Sequence, residues 1–214
     1  MYYDLHIHSA LSPCSDDLMT INNIFNMAYI KGLQLIAITD HNSLKQQYYL
    51  EKIIEHDILK GKIDYVHGVE LQSSEEIHLL AYFKKGSNLN VIQEWIDKHL
   101  IKVKNQSDYY GNQYIFNEFD EVIGIEDNLL ISSLDLNVYQ IVKKVHEFNG
   151  VVILAHVMAK RYGIYEVYHG IPDDLNYDGI EVESIKQLNE LKQLCKHLKD
   201  DYVFFNSDAH NLES

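Results

Sequence analysis

The sequence predicts a parallel α/β architecture with barrel closure, in which short strands alternate with helices around one core. Three observations predict it. Seven apolar runs read as strands, near 2–6, 34–39, 63–69, 77–82, 151–155, 178–182 and 202–206. Helical patterns lie between several of them. Finally, a histidine or carboxylate stands at or near the end of most runs, and in αβ barrels functional groups gather at the C-terminal ends of the strands.

The elements follow in chain order. Thr20 is placed to cap a helix running to Lys31, with Gly32 as its stop. Ser43 is read as the cap of a longer helix ending near Gly61, with Leu44, Tyr48, Ile53 and Ile54 on its apolar side. Residues 84–134 fit the alternation worst. They hold a helix around Val91–Val103, with Trp95, Ile96 and Leu100 as a core stripe, and then the Tyr-rich stretch NQSDYYGNQYIFNEFDE. This segment is read as an excursion within one domain spanning 1–214. Its tyrosines at 109–119 are expected to pack beneath a loop rather than to form a stacking wall for a base. Asp135 is read as opening the next helix, with Val138, Ile141, Val142 and Val145 inward and Gly150 closing it. Ser184 opens the last, carrying Ile185, Leu188, Leu191, Leu194 and Cys195.

Composition narrows the function classes. The 214 residues are 46% apolar, enough for one sizeable core. No run of about 18 apolar residues suggests a membrane span, and MYYDLHIHS lacks the pattern of a secretory signal. Two cysteines without a CxxC spacing fit a reducing cytosol, so a cytoplasmic location is expected. The net charge of −14 argues against long nucleic acid as a partner, since such binding relies on a basic footprint. It allows a small anionic substrate, because bound divalent cations dominate the local field. Nothing in the sequence specifies an oligomeric state.

The chemistry lies in six clusters: DLHIHS at 4–9, ITDHNS at 38–43, GVE at 68–70, IHLLAYF at 77–83, LAHV at 154–157 and SDAH at 207–210. Alternation along a strand sends His6 and His8 to the same face, where they can grip one ion. The candidate metal donors are His6, His8, Asp16, His41, Glu70, His78, His156, Asp208 and His210. Nine donors exceed the needs of one four- to six-coordinate ion, so two or three divalent ions are expected. Imidazole with carboxylate suits Zn, Mn or Fe, with Mg admissible. Glu70 is the candidate bridge. Ions roughly 3.5–4 Å apart can hold the attacking and leaving oxygens of a phosphoryl displacement, with a metal-activated water as nucleophile.

These motifs, in this order from residue 4 to residue 210, resemble the PHP family, named for polymerase and histidinol phosphatase. The resemblance implies a distorted seven-stranded (βα)7 TIM-like barrel, a trinuclear metal centre and phosphoesterase activity. By similarity, His6, His8, Glu70 and Asp208 hold one ion, Glu70, His78 and His156 a second, and Asp16, His41 and His210 a third. The first loop, SALSPCSDDLMT, is longer than the form common in the family, which leaves Asp16 or Asp17 as the acidic ligand, Asp16 being favoured. It looks closer to a stand-alone subgroup with an SPC segment, acidic residues and Met-Thr. The loop VMAKRYG lacks that subgroup's Asp-Arg pair, and the sequence stops four residues after His210, where relatives usually continue into another helix.

Arg161, the single arginine among 18 basic residues, lies in the loop after His156 and is the candidate phosphate contact. Lys160 is a weaker second, and His169 in VYHGIPDD is a candidate substrate contact from a loop. Asp40 is expected either to orient a ligand or to cap the following helix. Of Glu181 and Glu183, one is expected to face the site. His56, His99, His146 and His197 read as surface groups, and alternation turns His67 away from Glu70. Ser9, Ser43 and Ser207 flank motifs without a GxSxG elbow, so no serine nucleophile is assigned; the general acid is unassigned as well. The leading function is a metal-dependent phosphoesterase acting on a small phosphorylated substrate: a nucleotide, a short oligonucleotide, or a sugar or amino-alcohol phosphate. The alternatives are hydrolysis of a non-phosphate bond at the same centre, and a non-catalytic or regulatory metal-binding module.

Overall fold

Strand β1 (Tyr3–Ile7) enters the core directly, and its last three residues are buried. The structure is a computed structural model describing residues 1–55, 59–198 and 202–214. Thr20 accepts the Asn23 N–H and starts α1 (Ile21–Ile30), which buries Ile21, Ile24, Phe25 and Ala28 at helical spacing. Gly32 follows with φ +77°, the left-handed conformation that ends a helix at little cost in a glycine.

After β2 (Leu35–Ile38) the chain departs from the expected long helix. Ser43 opens no long helix; its Oγ accepts the Lys45 N–H at 3.3 Å, a 3-10 turn covers Lys45–Tyr49 and α2 is only Leu50–Ile54. The reason is polar. Gln46 is buried and bonds the backbone of Phe116 through both amide atoms, at 3.0 and 2.7 Å, while Gln47 donates to the Ile38 carbonyl at 2.8 Å. Those tethers hold the tighter turn in place of an amphipathic helix. His56 lies outside the described residues.

The expected strand at 63–69 is two strands, β3 (Asp64–Tyr65) and β4 (His67–Gln72). A turn then leads into β5 (His78–Phe83), and β4 and β5 are buried throughout. Two helices follow, α3 (Leu89–His99) and the single turn α4 (Ser107–Tyr110), and then a hairpin of β6 (Tyr114–Phe116) and β7 (Val122–Ile125). The excursion has no separate core. Ile92, Ile96, Leu100, Leu130 and Leu134 join the main cluster, against which Trp95 packs. Tyr114 and Phe116 pack inward, as expected of that stretch, but Tyr109 is exposed.

Asn137, two residues beyond the predicted Asp135, caps α5 (Val138–Glu147) in a reciprocal capping box with Gln140. Asp135 pairs with His99 instead, at 2.7 Å. The chain continues through β8 (Val151–Leu154), α6 (Ile164–Tyr168), β9 (Gly179–Glu181), α7 (Ile185–Leu194), capped by Ser184 as expected, and β10 (Val203–Phe204).

The strands form a mixed α/β fold, where the sequence predicted a parallel closed barrel. One sheet is β1-β2-β3, all parallel; the second has the order β10-β9-β8-β5-β4, and β6-β7 stand apart. Within the second sheet β5 runs antiparallel to both β4 and β8. The tight Ser73–Ile77 connection causes this, because it is too short for the crossover that a parallel pair requires. Continuous ladders close no barrel; single bridges, His41 with Glu70 and Ile7 with Ala209, join the two larger sheets at one end. Among the described residues no helix is long and apolar enough to cross a membrane.

Candidate metal centre

Both joining bridges include or flank histidine-bearing segments, which is how residues distant in sequence meet. His6 and His8 leave the end of β1, His41 follows β2, Glu70 sits in β4 and His156 follows β8. Because β5 is reversed, its first residue His78 points to this same end. Asp208 and His210 follow β10, held by backbone bonds from His8 N to the Ala209 carbonyl and from Ala209 N to the His6 carbonyl.

Glu70, 1% exposed, is the centre. Its Oε1 lies 2.9 Å from His78 Nδ1 and 3.3 Å from both His6 Nε2 and His156 Nε2; its Oε2 lies 3.0 Å from His41 Nδ1 and 3.5 Å from His8 Nε2. The Asp208 carboxylate approaches His6 and His8 at 3.2 and 3.3 Å. The structure thus brings together His6, His8, His41, Glu70, His78, His156, Asp208 and His210. His41, Glu70, His78, His156, Asp208 and His210 line a cleft of about 220 Å³ together with Cys14, Gln72, Ile131 and Tyr162, while His6 and His8 are fully buried.

Surrounding groups fix the imidazole tautomers. His6 donates through Nδ1 to Glu181, at 3.1 Å from each oxygen. His8 donates through Nδ1 to Ser12 Oγ at 3.0 Å, whose own hydroxyl donates to Asp40 at 2.8 Å. His78 donates through Nε2 to Gln72 Oε1 at 3.1 Å. These assignments, made from the partners, turn the lone pairs of His6 Nε2, His8 Nε2 and His78 Nδ1 toward the Glu70 cluster. The Nε2 atoms of His6 and His8 stand 3.2 Å apart. Two facing lone pairs repel unless a proton or cation lies between them. His156 Nδ1 is buried without a hydrogen-bond partner, and His41 Nδ1 has only the Glu70 carboxylate beside it, at 3.0 Å. Three triads, His6-His8-Glu70, His41-Glu70-His78 and His8-His41-His210, each have donor atoms within 4.8 Å of one another. Imidazole and carboxylate donors at this density fit divalent Zn, Mn or Fe.

Without metal, protons take up part of the charge balance. Burial depresses the His6 pKa, but Glu181 and Glu70 more than reverse it and hold it well above the usual histidine value. For His41, burial is likewise outweighed by Glu70, and its pKa rises to about 10. Burial and the charge of His41 push His8 down to about 3, and burial takes His78 to about 4. Glu70 lies well below the carboxylate range because His78, His6 and His41 overcome its burial. Burial would raise the Cys14 thiol, but hydrogen bonds with His210 and His41 bring it down to about 7.

Several contributors were missed or half-seen in the sequence. Glu181, one of two alternating carboxylates, is the inward one; it accepts the His156 N–H at 3.0 Å and an Asn206 amide hydrogen at 2.6 Å, while Glu183 is exposed. Asp40 acts on His8 through Ser12, and accepts Ser9 N–H and Oγ–H at 2.8 and 2.6 Å, which explains Ser9 without any nucleophilic role. Tyr162 stacks on His78 at 4.2 Å and 7°. His156, Tyr162 and Asp208 all have positive φ, at 27°, 66° and 52°. Such strain in non-glycine residues clusters at functional sites. In the sequence, the alternation of Glu181 with Glu183 and the place of Asp40 beside His41 gave the only signals.

Other expected site residues are not brought in. Asp16 is exposed, and its Oδ1 accepts the Leu18 N–H at 2.8 Å; Asp17 accepts the Asn112 amide at 2.9 Å. Asp16 is engaged through one oxygen within its own loop, and Asp17 through both with Asn112. Arg161 and Lys160 line an adjoining surface cavity with Glu75, Glu76 and Glu166, because the turn that points Tyr162 inward points its neighbours outward. His169 is exposed at the left-handed end of α6 and does not line the cleft. His67 faces Gln47, away from Glu70 as expected.

Fold and site together define a mixed α/β domain with a histidine-rich metal centre at one end of its sheets. The PHP domain family model matches residues 4–165, and the chain belongs to that family. No curated protein matches the sequence. Among solved structures, the lesion-specific endonuclease from Pyrococcus furiosus is similar with a TM-score of 0.70 and 19% identity, over 98% of this chain and 48% of that one. Endonuclease Q bound to a 27-mer duplex with an abasic lesion at its active site gives 0.65 and 19%, over 98% and 49%. A candidate metal-dependent phosphoesterase from Bifidobacterium adolescentis gives 0.65 and 14%, over 100% and 89%. The chain therefore spans about half the length of the two endonuclease chains, and at these identities the likeness establishes the fold. It also corrects one expectation. A protein sharing this fold takes a 27-mer duplex as substrate, at odds with the expectation that long nucleic acid is not a partner.

Proposed function

We propose that the protein is a metal-dependent phosphoester hydrolase whose substrates lie between nucleotides or other small phosphoesters and a nucleic-acid backbone. The observation that carries this reading is the convergence of five imidazoles on the buried carboxylate of Glu70 in a PHP domain. His6, His8, Glu70 and Asp208 would hold one ion, Glu70, His78 and His156 a second, and His41 and His210 part of a third. Zn, Mn or Fe in such sites lowers the pKa of water and polarises a phosphoryl oxygen. The chain's own residues orient the donors. Glu181 and Ser12 fix His6 and His8, Gln72 fixes His78, and the Tyr162 ring walls the cleft beside His78. The same reading takes β1, β2, β4, β5, β8, β9 and β10 as the staves of a distorted seven-stranded barrel, a view supported by the two bridging contacts. Unpaired Cys14 and Cys195 fit a reducing, cytoplasmic setting.

The test is a metal-reconstituted screen over mononucleotides, bisphosphorylated nucleotides, sugar phosphates, short oligonucleotides, duplexes with and without an abasic site, and amides. Phosphate release or strand cleavage is expected, dependent on added metal and lost in His156→Ala and Asp208→Ala. Full turnover in either variant would overturn the reading. Turnover of amides alone would replace it with hydrolysis of a non-phosphate bond, and metal retention without any turnover would point to a binding module.

A further inference from the structure

The His8-His41-His210 triad contains three imidazoles and no anion. Its nearest carboxylates are Glu70, 3.0 Å from His41 Nδ1, and Asp208, 3.6 Å from His210 Nδ1, and the reading above already assigns both to the other two ions. The sequence offered Asp16 or Asp17 as the missing anion. The structure turns both away, and the packing of the first loop shows why. Ser15 Oγ bonds the carbonyls of His8 and His210, each at 3.2 Å, and Asp16 N donates to the His210 carbonyl at 2.9 Å. Across the loop, Gly111 has φ +102° and lies so close to Pro13 that a Cβ there would come within 2.1 Å of the Pro13 carbonyl oxygen. Asn112 holds Asp17 from the same side. The 105–113 stretch thus clamps the loop just before Cys14, and the group it leaves facing the triad is the Cys14 thiol. This thiol lines the same cleft as His41 and His210. His41 is only 5% exposed and lines that cleft, with Nδ1 facing Glu70 Oε2 at 3.0 Å.

We propose that Cys14 is a metal ligand, completing with His41 and His210 a mixed nitrogen and sulfur site. The proposal rests on the metal-centre reading above and assigns the third ion an anion that neither aspartate supplies. On coordination the thiol releases its proton to solvent, and the sulfur lone pair forms the metal bond. A thiolate selects borderline-soft ions, so this position takes Zn, Co or Fe(II) in preference to Mg or Mn. The donor set therefore makes the centre chemically unequal, with one sulfur-bearing position beside two built from nitrogen and oxygen.

The experiment is a cobalt(II) titration of the full chain under reducing conditions, with bound metal measured in the same samples. A thiolate-to-cobalt charge-transfer band in the near ultraviolet is expected as the protein saturates. It should vanish in Cys14→Ser and persist in Cys195→Ser, Asp16→Asn and Asp17→Asn. In the zinc protein, X-ray absorption should show sulfur at about 2.3 Å, beyond the nitrogen and oxygen shell at about 2.0–2.2 Å. Cys14→Ser should weaken one metal equivalent by roughly tenfold or more, at least what losing an outer-shell partner costs. Saturated wild-type protein without the band, or a band that survives Cys14→Ser, would overturn the assignment while leaving the centre intact. No bound cobalt at all would overturn the centre and this ligand together.

Discussion

Replacing Glu181 with glutamine tests whether the inner shell of this site depends on what lies behind it. Glu181 is 4% exposed and serves three partners: His6 Nδ1 at 3.1 Å, the His156 N–H at 3.0 Å and the Asn206 amide at 2.6 Å. Glutamine keeps the volume but has one acceptor oxygen where three donors converge, and its NH2 must face another donor. At least one charge-assisted hydrogen bond is lost, at a cost of about 1.5–3 kcal/mol. Loss of an outer-shell partner commonly weakens metal binding by about 10- to 100-fold, which is about 1.4–2.8 kcal/mol. The two routes agree, so Glu181→Gln should weaken the first or second metal equivalent by roughly one to two decades. Chelator-competition titrations with Zn and Mn measure this, with exposed Glu183→Gln as the control. The acid limb supplies a second readout. Burial raises the Glu181 pKa but the His6 charge more than offsets it, leaving it depressed. Its contribution is therefore present above the unfolded carboxylate value and lost as pH falls through the folded one. The metal-free variant should show a flatter loss of stability in acid than wild type. Metal affinity within twofold of wild type in Glu181→Gln would refute the reasoning.

Three further predictions follow from other parts of the structure. Asp16→Ala should leave the number of bound metals unchanged, because its carboxylate serves the Leu18 N–H; loss of one equivalent by elemental analysis would return Asp16 to the ligand set. Metal loading near pH 8 should release protons, since in the metal-free protein His41 holds its proton up to about pH 10. Calorimetry in buffers of different ionisation enthalpy should show that release, and show it reduced in His41→Ala. In the metal-free state the same raised pKa stabilises the fold below about pH 6.5 and is lost as pH climbs toward 10. Gly68→Ala should cost about 1–3 kcal/mol in denaturant unfolding, because its Cβ would meet Thr39 Cγ2 at 2.7 Å and the Ile38 carbonyl at 3.1 Å.

What could be read in the sequence was whatever repeats locally. His6 and His8 share a face because strands alternate, and their Nε2 atoms do meet. Thr20 and Ser184 cap their helices because a hydroxyl before an apolar periodic run has few other uses. The failures involve partners distant in sequence or the exact path of a turn. The helix expected from Ser43 gave way to tethers from Gln46 and Gln47 to Phe116 and Ile38. Parallel order was inferred from alternating elements, yet a turn of a few residues reverses β5 and carries His78 to the site by its first residue. Asp16 had the right type in the right loop, but its orientation is decided by Leu18 and by Gly111 packing on Pro13. Arg161 and Tyr162 are adjacent, and the turn sends the tyrosine inward and the arginine out.

The same distinction between local and distant explains why the argument from charge misled. A net charge of −14 is a sum over the whole chain, and salt screens any surface charge farther from the cleft than a Debye length of about 8 Å. The field at the cleft is set by what lies inside it. Among its groups, Glu70 and Asp208 face six imidazoles, and each divalent ion added contributes two positive charges in a setting of low dielectric. On the proposed reading a phosphodiester entering the cleft would meet those ions, and Tyr162 and Cys14, which line it, would bound the space left for the rest of the substrate.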